Sequence, residues 1–205
     1  MKIFYCIFGA SGHGKVIVEI LENLGHSIRE LYDDDVNKKK LLGYNVTNDP
    51  YIFNLKGVNW IIGIGNNKVR KQIVENHLFY YGTAIDNSSQ ISKRAEIGPG
   101  TVIMPGVSVN ASTIIGKHAI INTNASVDHD CFLGDYVHIS PNATLCGGVN
   151  VDEGTHVGAG AIIIPGIHIG KWAIIGAGSV IIKDVPDYVT VVGNPGNVIK
   201  SHYLQ

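Results

Sequence analysis

Nine histidines, three cysteines and one glycine-rich loop carry most of the reactive chemistry of this 205-residue chain. One imidazole stands apart. His129 lies in Ala125-Ser126-Val127-Asp128-His129-Asp130-Cys131, with a carboxylate on each side. A carboxylate held against an imidazole raises its basicity and fixes its tautomer. Histidine ordinarily titrates near neutrality, so this cluster is suited to take a proton from an attacking amine or hydroxyl. The plainer reading is a solvated histidine between two turn aspartates. Near the N-terminus, Gly9-Ala10-Ser11-Gly12-His13-Gly14-Lys15 follows an apolar run over residues 2–8. Helical spacing follows at Val16, Ile17, Ile20, Leu21 and Leu24, ending at Gly25. Glycines there let backbone approach a phosphate at a helix N-terminus. A second strand over residues 27–32 leads to Asp33-Asp34-Asp35, whose carboxylates suit a ribose or base. A third, over residues 58–64, leads to Gly65-Asn66-Asn67, with a helix expected over 68–79. The plainer reading of these loops is a tight turn and a solvated strand end. The glycine spacing is not that of a dinucleotide site, and Val16 after Lys15 excludes a P-loop.

Two elements must position these groups. The first is the β-α-β unit of residues 1–84, an α/β half-Rossmann arrangement too short for a two-halved dinucleotide domain. The second is a repeat. Stepping by six from Ile85 through Ile91, Ile97 and Ile103 to Ile181 meets Ile, Val or Leu every time. The position four after each aliphatic is small or β-branched, as at Ala119, Ala143 and Thr155. Glycine recurs one after it, at Gly98, Gly116, Gly134, Gly158, Gly170 and Gly176. Six fits neither a 3.6-residue helix nor a simple hairpin. It fits a parallel β-helix with three six-residue sides, the aliphatics stacking inward at 18-residue steps and Gly or Asn supplying φ > 0 at corners. At about 4.8 Å per coil the prism over residues 85–184 is roughly 27 Å tall. Residues 185–205 form a tail.

That register sorts the remaining candidates. His129 falls two after an inward aliphatic, near a corner and facing out. Gly147 lies 18 further on in the same column, where its N–H can meet an oxyanion. Ala159 and Ala177 share a second column, leaving a groove for a slender ligand arm. His138 and His156 share a third. His138 is half a coil from His129, so the two lie on different sides of one prism, and a site using both must be built from two subunits. Cys131 takes an inward slot, and Cys146 is read as packing.

Composition narrows the class. Charged residues are 16% against a usual quarter and hydrophobic residues 45%, which excludes disorder. A net charge of -1 offers no basic field for nucleic acid or an anionic membrane. No apolar run is long enough to span a bilayer. Three cysteines without metal spacing fit a reducing, cytoplasmic setting.

The repeat resembles the left-handed β-helix of the hexapeptide-repeat acyltransferases. A half-Rossmann unit placed before it resembles one branch of that family. The branch holds sugar N-acetyltransferases of the bacterial N-glycan diamino-sugar pathway, perosamine N-acetyltransferases and sialic acid O-acetyltransferases. Phe8–Gly14, Tyr32-Asp33-Asp34 and Ile64-Gly65-Asn66-Asn67 are most similar to the first group. The resemblance implies an acetyl-CoA-dependent N-acetyltransferase acting on the 4-amino group of a nucleotide-linked amino-dideoxy sugar, UDP-linked by preference, without a metal. It implies homotrimers with active sites between subunits. It assigns His129 as base with Asp130 beside it, and His138, Gly147, Ala159 and Ala177 to acetyl-CoA. Ser11, Gly12 and His13 fall to the diphosphate or sugar, and Asp33, Asp34 and Gly65 to the uridine end. Val192-Gly193-Asn194-Pro195-Gly196 resembles the loop closing the CoA site. Three alternatives stay open: O-acetylation of sialic acid or its CMP ester, a zinc enzyme like the γ-type carbonic anhydrases, and a non-catalytic trimer.

Overall fold

A computed structural model describes residues 3–202. The N-terminal apolar run forms β1 (Phe4–Phe8), and the glycine loop leads into α1 (Gly12–Asn23). Lys2, expected in that strand, lies outside the described residues. Strand β2 (Ser27–Tyr32) returns beside β1. Helix α1 buries Ile17, Val18, Ile20 and Leu21 on one face. Gly14 lets it lie close to the sheet, since a Cβ there would stand 2.3 Å from the Gly9 carbonyl oxygen. Strands β3 (Lys40–Leu41) and β4 (Tyr44–Thr47) form a short hairpin, followed by a 3-10 turn over Pro50–Asn54. Strand β5 (Asn59–Ile62) and helix α2 (Asn67–Asn76) complete the unit. The sheet order is β3-β4-β2-β1-β5, parallel except for the hairpin. Sequence patterning does not mark the hairpin, because strands of two and four residues are too short to read. The third strand and second helix are both shorter than expected.

From Ala84–Ile85 onward, two-residue strands recur every six residues through Val180–Ile181. Each pairs in parallel with the strand 18 residues away, as Ile121 does with Ile103 and Ile139. The result is a triangular β-helix. Face one carries the column through Ile103, Ile121 and Ile139, face two that through Val109, Val127 and Leu145, and face three that through Ile115, Leu133 and Val151. The inward aliphatics form one continuous core. Each fully buried side chain contributes about 1.5–3 kcal/mol of transfer free energy. Thr101, Thr113 and Thr155 take the small inward slot and donate to the carbonyls of Gly116, Asp128 and Gly170 (2.8, 2.7 and 2.6 Å). Their hydroxyls are thereby satisfied inside an apolar core.

The corners correct one expectation. From Gly100 to Gly178, every corner turns through a residue with positive φ three after the inward aliphatic. That residue is not only Gly or Asn: Ser112, His118, Asp130, Tyr136 and Trp172 also hold φ between 53° and 62°. Most of these corners donate their N–H to the preceding coil, as from Asp130 N–H to Ala111 O at 3.0 Å. The glycines one after the aliphatic have a steric cause instead. A Cβ at Gly98 or Gly134 would stand 2.6 or 2.7 Å from the backbone of the next coil.

The α/β unit docks on face one, where Val102, Met104 and Ile120 join its core. Outward along the same column come His138, His156 and then Ile174, which is 40% exposed. The cover therefore ends at the two histidines. The tail extends face one with Val189–Val192 and folds back through Asn197–Ser201.

Candidate functional site

His129 occupies the corner between faces two and three, with its side chain 60% exposed. Its Nδ1 lies 2.7 Å from Asp130 Oδ2. An ionised carboxylate only accepts, so Nδ1 carries the proton and Nε2 is left as the free base. Asp130 reaches back because its own φ is +59°, a conformation that aspartate tolerates better than most residues. Asp128 fixes the other side, accepting from Asn110 (2.7 Å) and from the His129 backbone N–H (2.8 Å). The Asp130 hydrogen bond first, and the Asp128 charge second, raise the His129 pKa.

Gly147 lies directly beneath this imidazole. A Cβ there would stand 2.6 Å from His129 Cε1 and 2.7 Å from Nε2. Among the described residues its N–H has no protein acceptor, whereas the next N–H, that of Gly148, donates to His129 O. Cys131 is 2% exposed, with its Sγ 3.3 Å from Cys146 O, and burial pushes its thiol pKa up, which leaves it poorly suited as a nucleophile. Ala159 and Ala177 sit exposed at a different corner, between faces one and two.

The N-terminal candidates gather elsewhere. Ser11 is the N-cap of α1, but its hydroxyl makes no capping bond. Gly12 has open space where a Cβ would go, as does Gly65. His13 has a closed-off Nε2 without a partner among the described residues, and burial, with Arg70, pushes its pKa down to about 4. Asp33 is committed to the protein itself: Oδ2 accepts from Ala10 N–H (2.7 Å) and Lys38 Nζ (2.8 Å), Oδ1 from Asp35 N–H (3.0 Å). Burial opposes its charge, yet these donors hold it below the usual carboxylate range. Asp34 is exposed and accepts from the Tyr32 hydroxyl at 2.9 Å.

His138 faces this same region. It stacks on His156 (centroids 4.7 Å apart, planes at 9°), accepts from Asn122 Nδ2 at 3.1 Å and lines the same cleft as Gly65. Burial first, then His156, Arg70 and His13, push its pKa down to about 3, so it is neutral at pH 7. His156 in turn bonds Ser140 Oγ at 2.7 Å. A cleft of about 370 Å³ opens between Gly65, Asn66, Lys68, His138, His156 and Trp172. The structure thus joins Gly65 and His13 to His138, and Gly147 to His129. Within one chain it keeps these two groups apart, the first on face one and the second at the corner between faces two and three. Sequence reasoning missed Arg70, which is 1% exposed at the junction of the two units. Among the described residues no cluster of three or more His, Cys, Asp or Glu is placed to hold a metal, and no helix is long and apolar enough to cross a membrane.

A hexapeptide β-helix with an outward carboxylate-held imidazole, carrying an α/β unit with an open glycine loop, has the architecture of a sugar acyltransferase. Residues 5–77 match the PglD N-terminal domain family. The whole chain is similar to PerB from Caulobacter crescentus, a perosamine N-acetyltransferase solved with CoA and GDP-perosamine. The two share 37% identity over 96% of this chain and 97% of PerB, with a TM-score of 0.90. The acetyltransferase domain of PglB from Neisseria gonorrhoeae, solved with acetyl coenzyme A, is 35% identical over 97% of this chain and 100% of that one (TM-score 0.91). WeeI from Acinetobacter baumannii is 29% identical over 97% and 100% of the two chains (TM-score 0.87). The chain belongs to the hexapeptide-repeat sugar N-acetyltransferases and is an acyltransferase.

Proposed function

We propose that this enzyme transfers the acetyl group of acetyl-CoA to the 4-amino group of a nucleotide-linked amino-dideoxy sugar. The observation that carries the reading is the His129–Asp130 pair standing over Gly147, whose N–H has no acceptor among the described residues. The amine nitrogen attacks the thioester carbonyl, forming the C–N bond. His129 Nε2 takes the amine proton, and Asp130 stabilises the resulting imidazolium. The Gly147 N–H bonds the tetrahedral oxyanion. The C–S bond then breaks, and the thiolate of CoA leaves and is protonated by the imidazolium. No acetyl-enzyme forms.

The acceptor's nucleotide end is assigned to the α/β unit. Neither Gly12 nor Gly65 lacks a Cβ for packing reasons, and close approach of a ligand accounts for both. The open N-terminus of α1, with Ser11 and His13, is suited to the diphosphate. Asp34 is freer to serve the uridine end than Asp33, which acts through the loop it closes. His138, Gly147, Ala159 and Ala177 are assigned to acetyl-CoA. Because Gly147 and His138 occupy separate places on one prism, that assignment requires a neighbouring chain, and three prisms side by side supply it. A cytoplasmic location goes with the use of acetyl-CoA. UDP linkage follows the stretches Phe8–Gly14 and Ile64–Asn67; the likeness to PerB, solved with GDP-perosamine, favours GDP linkage as a second reading.

The test is thiol release from acetyl-CoA with UDP-4-amino-4,6-dideoxy sugars, GDP-perosamine, sialic acid and CMP-sialic acid. Turnover with a 4-amino nucleotide sugar is the expected result. Turnover confined to a sialic acid would overturn the acceptor assignment while leaving donor and base in place.

A further inference from the structure

We propose that Arg70 is a positioning residue for the acceptor: it sets the loop over residues 64–66 so that two backbone N–H groups face the nucleotide. The inference rests on the assignment of Gly65 to the acceptor. Arg70 lies on α2, one turn after the N-cap Asn66. Its five donors meet five oxygens. Nε donates to His118 O (2.8 Å), Nη2 to Tyr136 O and Asn67 Oδ1 (both 2.9 Å), and Nη1 to Ile64 O (3.0 Å) and Gly65 O (3.3 Å). No carboxylate is among them. A buried guanidinium held only by neutral oxygens leaves a positive charge without a counter-ion, which favours an anionic ligand nearby.

The peptide bond is planar and trans, so a carbonyl and the N–H after it point opposite ways. By holding the Ile64 and Gly65 carbonyls, Arg70 turns the N–H groups of Gly65 and Asn66 away from itself. Among the described residues neither N–H has a protein acceptor. The guanidinium is tied to the β-helix as well. His118 and Tyr136 are equivalent corners of successive coils, and Asn67 continues the column by donating to Gly154 O at 3.0 Å. The loop is thereby fixed relative to three coils rather than to its own helix alone. Lysine offers three donors from a point charge and cannot satisfy this planar set.

The experiment compares wild type, Arg70→Lys and Arg70→Met with the nucleotide sugar that wild type turns over best. KM for that sugar is expected to rise about tenfold in Arg70→Lys and further in Arg70→Met, with KM for acetyl-CoA unchanged. Equal change in both KM values alongside a lowered Tm, or no change in either, overturns the proposal. If the variants do not fold, hydrogen exchange on wild type decides. The Gly65 and Asn66 amides are expected to exchange freely and to become protected on addition of UDP or GDP. Unaltered exchange at both amides contradicts the positioning role. Failure of wild type to turn over any nucleotide sugar would instead overturn the functional reading on which this rests.

Discussion

Replacing His129 with alanine is expected to lower kcat by about a hundredfold to ten-thousandfold, the usual contribution of a positioned general base. KM for both substrates and Tm should change little, because the side chain is largely exposed and supports no core packing. The pH profile gives a second readout. The base works in its neutral form, and its pKa is raised above the ordinary 6.5, by Asp130 first and Asp128 second. Activity should therefore be full at alkaline pH and fall as pH drops through a midpoint above 6.5. Asp130→Asn removes the carboxylate and should move that midpoint down. A His129→Ala enzyme with near-normal kcat would leave the cluster as a solvated corner.

The second large effect is expected at Gly147. Its alanine variant places a methyl group where the His129 ring now lies, 2.6 Å from Cε1. The backbone accepts alanine, since Gly147 does not have positive φ. The ring is exposed and free to swing, so the fold should survive with Tm nearly unchanged. The imidazole, however, leaves its position over the Gly147 N–H, and a misplacement of about 1 Å costs on the order of a hundredfold in rate. The expected signature is a fall in kcat without a matching rise in either KM. Measured kcat within a factor of about two of wild type would separate Gly147 from the reacting atoms.

The β-helix was legible because its core imposes one strict demand. Every sixth residue must fill the axis, so Ile85 to Ile181 keep phase without interruption. His129 was legible because its partners are its chain neighbours. The α/β unit was legible in its first strand, loop and helix, where apolar spacing and glycines coincide. What escaped was set by contacts distant in sequence. Arg70 stands among Lys68 and Lys71 and reads as one charge on a polar helix; its burial depends on carbonyls 48 and 66 residues away. The column through His118, Tyr136, Gly154 and Trp172 was readable at 18-residue spacing, yet nothing in it announces that α2 lies along it. Asp33 was read from the sequence as a carboxylate for the uridine end. That the protein's own Ala10 and Lys38 occupy Oδ2 follows from how loop and strand meet in space.

The central claim is that the base and the acceptor domain serving one reaction come from different chains. His129 stands at one corner of the prism and the α/β unit is docked on another side. Mixing two inactive enzymes tests this most directly. One carries His129→Ala; the other carries Gly65→Glu, accepted by the fold because nothing lies within 4 Å of a Cβ there, and repelling an anionic nucleotide. Co-assembled in equal amounts, a quarter of the sites pair an intact base with an intact acceptor domain. Activity should return to about 25% of wild type if neighbouring chains share each site. If mixed assemblies stay as inactive as their parents, base and acceptor domain belong to one chain, and the two-chain site is wrong.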